Sequence, residues 1–523
     1  MKFDNFLNSK KSHFLLLPIL ILAVYLRINH QWLLPYFYNT DEYFVIKPSL
    51  YILQTGSLNP QVFKYGSFMY YMTALVYWVY FHLYSSLYKI SFNSLINQLT
   101  DATPLLYVIG RCESCFFDLL NIIMSYSISN QIFNRKSAAI FSALLMAFNP
   151  LTIYMAHMSK VDTALTLFVL LSFYIALRIK QDGKLRYIVS AGIFAGLAMA
   201  TKYDFIALLP PLVAEYFYYK RHKTHVFSMI ILLIAIAALT FFLASPFTFL
   251  DLHGFVMDLR SESAQQGLSL STLDWVHTRF IYQIIVQLPF SLSISVYMFF
   301  ILGLLSFKTF FDNETFILYL SYPLSYFILS TLISASISQI IFSHLYLTIL
   351  PFIIMFSSTV AVHFISKIKL RFLKYGIMMI MLIDVCIASS NFKNMLLPYQ
   401  EAAQWLKSVE PPQTVRLSYI TPFYLSPDSN YAVDEIQPSP FMLKQLSTFH
   451  PQIVLVSEGW YKTYFYNRET YYSQPIDTIL SKMGYKMVKE FKSSSVYIDL
   501  FEHIDNAIDV GTIKIFINKK ILL

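Results

Sequence analysis

Long apolar runs alternate with short polar turns along most of the chain. The first run covers residues 14–34, and similar runs recur until residue 388, where a mixed polar pattern begins. A transmembrane helix needs about 20 mostly apolar residues. Of the 523 residues, 56% are hydrophobic and 13% are charged, whereas charge in soluble domains is nearer roughly 25%. The pattern predicts a polytopic membrane protein.

The basic residues between apolar runs predict the orientation of the helices, because such residues concentrate in cytoplasmic loops. Lys2, Lys10 and Lys11 precede the first run, and basic turns follow at 134–136 and 220–223. All of these basic turns face the cytoplasm only if the apolar run at residues 68–87 does not cross the membrane. The aromatic side chains of that run also favour a helix at the outer interface.

This orientation predicts about 11 transmembrane helices, a cytoplasmic N-terminus, an uncleaved first span and an extracytoplasmic C-terminus in the plasma (inner) membrane. Interfacial helices are expected within residues 41–90, and a polar external loop within 245–279. The predicted crossings are residues 14–34, 104–132, 137–156, 163–178, 187–200, 205–219, 226–244, 284–307, 315–333, 346–365 and 377–388.

The composition divides the chain into a membrane domain, residues 1–390, and a small extracytoplasmic α/β domain, residues 391–523. Strands are predicted at 415–419, 453–457 and 485–491, and helices at 401–408 and 476–483. This domain is of roughly usual size, about 130 residues. Its sequence shows no acid–base cluster or phosphate loop.

Cys112 and Cys115 form a C-x-x-C pair inside an apolar run, without a second pair. Small core residues are a better interpretation than zinc or redox chemistry. The net charge of +9 is accompanied by no basic–aromatic ribbon, so no nucleic-acid partner is expected. No cofactor is assigned with certainty, and a divalent cation beside the acidic pair described next stays an open alternative.

Asp41 and Glu42 form an adjacent acidic pair directly after the first predicted span. The pair could be solvated and cap a short helix, or it could serve chemistry at the membrane surface. Other polar residues fall at predicted outer ends of spans: Lys64, Tyr65, His157, Lys160, Asp162, Lys202, Tyr203, Asp204, Asp251, His253, Arg260 and Glu262. A carboxylate can accept a proton from an attacking hydroxyl, and cations can bind a phosphate leaving group.

Several motifs extend this pattern: Ile109-Gly110-Arg111, residues 132–139, Asn149-Pro150, residues 157–166, residues 196–203, and residues 244–262. Together they resemble the bacterial branch of the dolichyl-phosphate-mannose protein mannosyltransferase family, which is related to the aminoarabinose transferases of lipid A. The resemblance covers about residues 15–390, and the C-terminal domain matches only loosely.

The resemblance implies the C-type membrane glycosyltransferase (GT-C) fold and an inverting sugar transfer from an undecaprenyl- or dolichyl-type phosphate donor to an acceptor hydroxyl. It maps Asp41 to the catalytic carboxylate with Glu42 beside it, Asp162 to a second acid, and Lys202 to a cation near the donor phosphate. The acceptor would be a protein, a lipid or a glycan. Residues assigned to acceptor binding or support are Lys160, Tyr203, Arg260 and Glu262.

One position departs from the family pattern. An Arg-Tyr pair usually opens the span that ends in Leu-Pro, and here that position reads His344-Leu345-Tyr346. A histidine is only partly charged near neutral pH. Arg279 or Lys64 could therefore supply the phosphate contact in its place.

Simpler roles compete with each of these assignments. Asp162 could cap a helix, Lys202 could extend to lipid headgroups, and the histidines could be core residues. At the level of function, a transporter or flippase would show related halves and ionisable groups near the bilayer midplane, which the sequence lacks. A polysaccharide ligase or a non-enzymatic assembly factor are further alternatives.

Overall fold

The computed structural model describes residues 14–28, 40–101, 103–223, 226–266, 280–281, 283–335, 343–409, 413–420, 431–435, 442–457, 476–492 and 512–518. Within these residues the protein is mainly helical, with one small sheet near the C-terminus. The predicted class, a mainly helical chain with a small C-terminal α/β part, is confirmed at this level.

The helices of the first half follow the apolar runs of the sequence. They are α1 (Leu16–Ile28), α2 (Thr40–Thr55), α3 (Ser67–Tyr88), α4 (Phe92–Gln98), α5 (Pro104–Phe133), α6 (Lys136–Phe148), α7 (Pro150–Ala156), α8 (Asp162–Asp182), α9 (Leu185–Lys202), α10 (Leu209–His222) and α11 (Val226–Ala244). A 3-10 turn, Phe205–Leu208, precedes α10. Two helices, α2 and α3, thus lie in the interval predicted to hold interfacial helices, and α4 follows directly after it.

The second half of the membrane domain is more broken. Its helices are α12 (Phe247–Leu250), α13 (Leu252–Gln266), α14 (Leu288–Leu292), α15 (Ile294–Leu305), α16 (Asn313–Ala335), α17 (Leu350–Ser366) and α18 (Arg371–Ser408). A π-helical turn, Gln283–Gln287, leads into α14, and 3-10 turns occur at Phe307–Thr309 and Ser343–Tyr346. The predicted polar loop after α11 is therefore largely helical as far as Gln266.

Two predicted spans are each divided by a break. Residues 137–156 form α6 and α7, which meet at an angle of 54°. Pro150 has no backbone N–H to continue the first helix, and Asn149 starts the second by accepting a hydrogen bond from the Thr152 amide at 3.1 Å. Residues 284–307 break at Ser293, whose φ is 90°. The sequence predicted each span as one apolar run and did not locate these breaks, because apolar composition does not show where Pro150 interrupts the helical hydrogen bonds or where Ser293 adopts a positive φ.

Three described helices are long and apolar enough to cross a membrane, Asp162–Asp182, Phe227–Ala244 and Phe372–Ser390, or four if the bent pair α6–α7 is one span. The apolar helices Leu16–Ile28, Ile294–Leu305 and Leu350–Ser366 are shorter. The larger number of crossings, and the interfacial position of α3, therefore stay predictions.

Close packing between α9 and α11 depends on small residues. A Cβ atom at Gly196 would lie 2.6 Å from the Ala237 carbonyl oxygen, and one at Gly192 would lie 2.8 Å from a methyl carbon of Ile236. The absence of side chains there lets the two helices approach closely. This contact packs α9, which ends at Lys202, against α11.

The C-terminal sheet has five described strands, β1 (Val415–Ile420), β2 (Tyr431–Glu435), β3 (Ile453–Ser457), β4 (Tyr485–Phe491) and β5 (Ile513–Asn518), in the order β2-β1-β3-β5-β4. β1 pairs in parallel with β2 and β3, and β5 pairs antiparallel with β3 and β4. Two helices, α19 (Met442–Phe449) and α20 (Ile476–Lys482), join them. The sequence predicted β1, β3, β4 and α20, and it missed β2, β5 and α19.

Helix α18 connects the two parts of the chain without a break. Its last turns bring Ala402 and Leu406, both fully buried, into the same core as Leu417 and Leu455 of the sheet. The predicted helix at 401–408 is the end of this longer element. The predicted domain boundary after residue 390 thus lies inside a continuous helix.

Candidate active site

The acidic pair occupies the first turn of α2. Carboxylates are stabilised at this position by the partial positive charge of a helix N-terminus. The two side chains nevertheless differ in environment, because the Asp41 side chain is 20% exposed and the Glu42 side chain is fully buried. The structure therefore places the pair in the first turn of a helix, where the two carboxylates differ in burial.

Glu42 is enclosed by an arginine and a backbone amide. Arg111 of α5 donates to both carboxylate oxygens, Nε to Oε1 at 2.8 Å and Nη2 to Oε2 at 2.9 Å. The Ser159 amide donates to Oε1 at 2.9 Å. A bidentate, charge-assisted pair of this kind is geometrically rigid. Glu42 is therefore buried and bound on both carboxylate oxygens. These contacts suit a residue that positions the first turn of α2, and its predicted catalytic role stays a prediction.

Arg111 is a site residue that the sequence analysis did not assign. It belongs to the Ile109-Gly110-Arg111 motif, which carried the resemblance but no role. The neighbouring Gly110 explains part of the motif, since a Cβ atom there would lie 2.2 Å from the Ser159 hydroxyl oxygen. Gly110 thus allows α5 to approach the 157–161 turn, which supplies the amide that Glu42 accepts from.

Asp41 contacts two lysines from different segments. The Lys160 ammonium lies 2.7 Å from Oδ2, and the Lys64 ammonium lies 3.3 Å from Oδ1. Lys160 is buried, with a side chain 2% exposed, while the Lys64 side chain is 22% exposed. Nearby cations favour the ionised form of a carboxylate. Two cations thus meet the Asp41 carboxylate at the edge of the protein interior.

A second ion pair joins Lys202, at the end of α9, to Asp162, in the first turn of α8, at 2.5 Å. Asp162 is 1% exposed, so its carboxylate lies inside the protein and not on a solvent-exposed helix end. Two short connections link this pair to Asp41. Lys160 is separated from Asp162 by one residue, and the Lys202 ammonium lies 5.9 Å from the ring centre of Tyr65, the neighbour of Lys64.

The segment 57–66 lies between α2 and α3 and carries Lys64. The Tyr203 hydroxyl donates to the carbonyls of Phe63 and Tyr65 at 3.1 and 3.0 Å. Gly66 donates to the Thr201 carbonyl at 3.2 Å. Tyr203 itself has a φ of 55°, a left-handed conformation that ends α9 and turns the ring toward this segment. The backbone on both sides of Lys64 is therefore fixed.

Helix α13 and the turn before it hold the same segment from the other side. The Phe63 amide donates to Asp258 at 2.7 Å, and the Asn59 carboxamide donates to Asp251 at 2.9 Å. The hydrogen bonds from Asn59 and from the Gly254 amide lower the pKa of Asp251. Asp251 and Asp258 thus contact the segment that carries Lys64 and Tyr65, two residues that the sequence predicted at the outer ends of spans, and this segment connects them to Asp41.

Four other residues that the sequence predicted for the site have no described contact with the Asp41 cluster. Arg260 lies exposed on α13, and Glu262 lies on the same helix, with its side chain outside the described residues. Arg279 also falls outside the described residues. His344 lies in the 3-10 turn Ser343–Tyr346, and its side chain is not described. These assignments stay predictions.

The donor set fits a divalent cation poorly. No group of three or more His, Cys, Asp or Glu side chains in the described part of the chain is arranged to hold a metal ion. Hard divalent cations prefer several oxygen ligands, but the oxygens of Asp41 contact two lysines and those of Glu42 contact Arg111.

The cluster combines a partly exposed carboxylate with an excess of cations. Asp41 and Asp162 are matched by Lys64, Lys160 and Lys202, which leaves one positive charge in excess. Such a cluster can accept a proton at Asp41 and bind an anion at its lysines. Proton acceptance and anion binding are two requirements of group transfer from a phosphate leaving group.

The comparisons with known proteins agree with this class. Residues 108–248 match the family described as dolichyl-phosphate-mannose-protein mannosyltransferase. The matched residues include Arg111, Lys160, Asp162 and Lys202. The match confirms the resemblance to protein mannosyltransferase-like membrane glycosyltransferases that the sequence motifs indicated. The search of curated proteins finds no match.

Two solved structures are similar over most of the chain. The oligosaccharyltransferase AglB from Archaeoglobus fulgidus, in complex with an inhibitory peptide and a dolichol-phosphate, is 11% identical, with 93% of this chain and 74% of that chain covered and a TM-score of 0.48. ArnT from Cupriavidus metallidurans bound to undecaprenyl phosphate is 11% identical, with 97% and 98% covered and a TM-score of 0.44. Both TM-scores are below 0.5, so neither likeness assigns an activity to this chain.

Proposed function

We propose that this protein is a GT-C-type membrane glycosyltransferase that moves a sugar from a polyprenyl phosphate to an acceptor hydroxyl, with inversion, at the extracytoplasmic membrane face. The observation that carries the proposal is the contrast within the acidic pair. Glu42 is buried and neutralised by Arg111, whereas Asp41 keeps a partly exposed carboxylate between two lysines. This contrast supports Asp41, rather than Glu42, as the carboxylate that meets the substrate.

Asp41 acts as general base in this mechanism. The acceptor hydroxyl attacks the anomeric carbon of the sugar and gives its proton to Asp41, while the bond between that carbon and the phosphate oxygen breaks. The configuration at the anomeric carbon is inverted, because the hydroxyl attacks one face of this carbon while the phosphate leaves from the opposite face. The Glu42–Arg111 pair holds the first turn of α2, so that the Asp41 carboxylate keeps a fixed position during attack.

The lysines stabilise the departing phosphate. Lys202 is the best placed to bind the donor, because its ammonium lies at the end of α9 with an 18% exposed side chain, and Asp162 orients it. Fixed cations aimed at developing negative charge are among the largest contributors to catalysis. Lys64 is the second cation available to the phosphate, which compensates for the absent family arginine near His344.

The decisive experiment removes the base and keeps the shape of its side chain. Asp41→Asn should lower sugar transfer by roughly 10²–10⁴-fold, as is typical when a general base is lost. Cells that carry the variant should accumulate a polyprenyl-phosphate sugar, which lipid analysis by mass spectrometry detects. Asp182→Asn is the matched control, because Asp182 is an exposed carboxylate paired with Lys184 at the other end of α8.

Near-full transfer by the Asn variant would contradict the assignment of Asp41. If Asp41→Asn cells accumulate the polyprenyl-phosphate sugar on one side of the membrane while the purified variant transfers sugar normally, the flippase alternative would be favoured instead. Retention of the folded state in Asp41→Asn, measured by thermal unfolding in detergent, separates loss of catalysis from loss of structure.

A further inference from the structure

We propose that Lys64 is a shared counter-ion, which neutralises Asp41 before sugar transfer and the leaving phosphate after it. This inference rests on the proposed function and adds to it a means of coupling proton uptake to phosphate departure. It is carried by the different environments of the two lysines on Asp41, by the fixed backbone around Lys64, and by the charge balance of the reaction.

Of the two cations on Asp41, Lys64 is the one able to change partners. Lys160 is buried, makes the shorter contact of 2.7 Å, and its backbone amide and carbonyl both meet the Ser114 hydroxyl at 3.3 Å. Lys64 makes the longer contact of 3.3 Å with a side chain 22% exposed. Its ammonium also lies 4.0 Å from the ring centre of Phe44, over the aromatic face. A cation–π contact tolerates displacement because it has no directional hydrogen bond.

The backbone near Lys64 already lies between the two ion pairs. Tyr203 holds the carbonyls on either side of Lys64, and the ring of Tyr65 lies beside the Lys202 ammonium. The proposed exchange requires only that the Lys64 side chain turn from Asp41 toward Lys202, on a backbone that these contacts hold in place.

The reaction moves one negative charge in the same direction. A polyprenyl-phosphate sugar is a phosphodiester with one negative charge, and Asp41 carries another. When the acceptor proton passes to Asp41 and the sugar–phosphate bond breaks, Asp41 becomes neutral and the polyprenyl phosphate becomes a dianion. The total charge is unchanged, but the anion that attracts Lys64 is now the phosphate. Lys64 thus stabilises the product state without being held by the base.

Equilibrium binding of undecaprenyl phosphate tests this exchange without any turnover. The probe is bound to the purified full chain in nanodiscs of zwitterionic lipid, and undecaprenol, which lacks the phosphate, measures the contribution of the polyprenyl chain. Asp41→Asn imitates the protonated base and releases Lys64. We expect it to bind undecaprenyl phosphate about tenfold more tightly than the wild type, a usual coupling between sites, with undecaprenol unaffected.

Removal of Asp41 also relieves direct repulsion of the phosphate, so the double variant decides the matter. If Lys64 is the shared counter-ion, the gain from Asp41→Asn should largely disappear in a Lys64→Met background and persist in a Lys64→Arg background. Lys64→Gln serves as a second neutral variant should Lys64→Met not fold. Lys47→Met is the charge-matched control, because Lys47 lies on α2 and donates to the Tyr43 hydroxyl instead; the gain should persist there.

An equal gain from Asp41→Asn with and without the Lys64 charge would overturn the shared counter-ion and show simple relief of repulsion. No gain at all would overturn it as well. Neither result bears on Asp41 as the base, which depends on the transfer assay. Full transfer by Asp41→Asn would refute the proposed function instead, so the two failures are distinguishable.

Discussion

Each acidic side chain of the candidate site has a cation from a distant part of the chain. Arg111 approaches Glu42 from α5, and Lys160 approaches Asp41 from the turn before α8. These pairs differ in what they permit. The Glu42–Arg111 pair is fully buried and bidentate, so its geometry is rigid. The ion pairs of Asp41 are partly exposed, so an anionic substrate can compete with Asp41 for the same lysines. At the scale of residues, burial therefore distinguishes the Glu42–Arg111 pair, which supports the helix, from Asp41, the proposed base.

The sealed pair leads to a prediction about stability. Arg111→Met leaves Glu42 buried without its cation, and loss of one member of a buried pair costs about 3–5 kcal/mol. The double variant Glu42→Gln/Arg111→Met removes the uncompensated charge and should recover much of that loss. Unfolding in detergent, followed by circular dichroism against denaturant, should rank the wild type above the double variant and the double variant above Arg111→Met.

Sugar transfer separates positioning from folding in the same series. The double variant should fold but transfer sugar slowly, because Asp41 is no longer held by a rigid neighbour. Wild-type transfer by a stable double variant would show that the pair has only a structural role.

At the scale of elements, the site depends on the contact between segment 57–66 and the end of α9. Gly66 is the closest point of this contact, since a Cβ atom there would lie 1.9 Å from the Ala200 carbonyl oxygen and 2.4 Å from its carbon. Backbone atoms cannot move aside as a flexible side chain can. The glycine therefore sets how near Lys64 and Tyr65 come to Lys202.

Gly66→Ala should therefore displace the segment and lower sugar transfer by at least about tenfold, in line with the large effect of roughly 1 Å misplacements on catalysis. Gly376→Ala is the matched control, because an added Cβ there meets nothing within 4 Å; alanine in a helix should be neutral or slightly stabilising. Comparable transfer by the two variants would show that the segment is not required in its observed position.

At the scale of the whole molecule, the predicted orientation puts the catalytic cluster and the C-terminal sheet on the extracytoplasmic side. Single cysteines in a background without Cys112, Cys115 and Cys386 test this directly. A cysteine at Arg135 or Lys223, which are exposed turn residues, should resist a membrane-impermeant maleimide in intact cells. A cysteine at Met487, 43% exposed on β4, should react. Labelling of Arg135→Cys or Lys223→Cys from outside would refute the orientation.

Much of the fold could be predicted from the sequence because its signals are local. An apolar run of sufficient length forms a helix wherever it lies, and α5 and α11 coincide closely with predicted spans. Alternating apolar residues located β1, β3 and β4 for the same reason. The breaks at Asn149 and Ser293 were missed, because apolar composition does not reveal where a helix is interrupted by a cap or a left-handed residue.

The sequence by itself determined the membrane class of this protein and the identity of Asp41, Asp162 and Lys202 as candidates, because these depend on composition and on short motifs. Only the tertiary structure decided which charge meets which. Lys160 lies 119 residues from Asp41, and Arg111 lies 69 residues from Glu42. Ion pairing acts over a few ångströms in space, and the packing of α2, α5, α8 and α9 brings these charges within that distance.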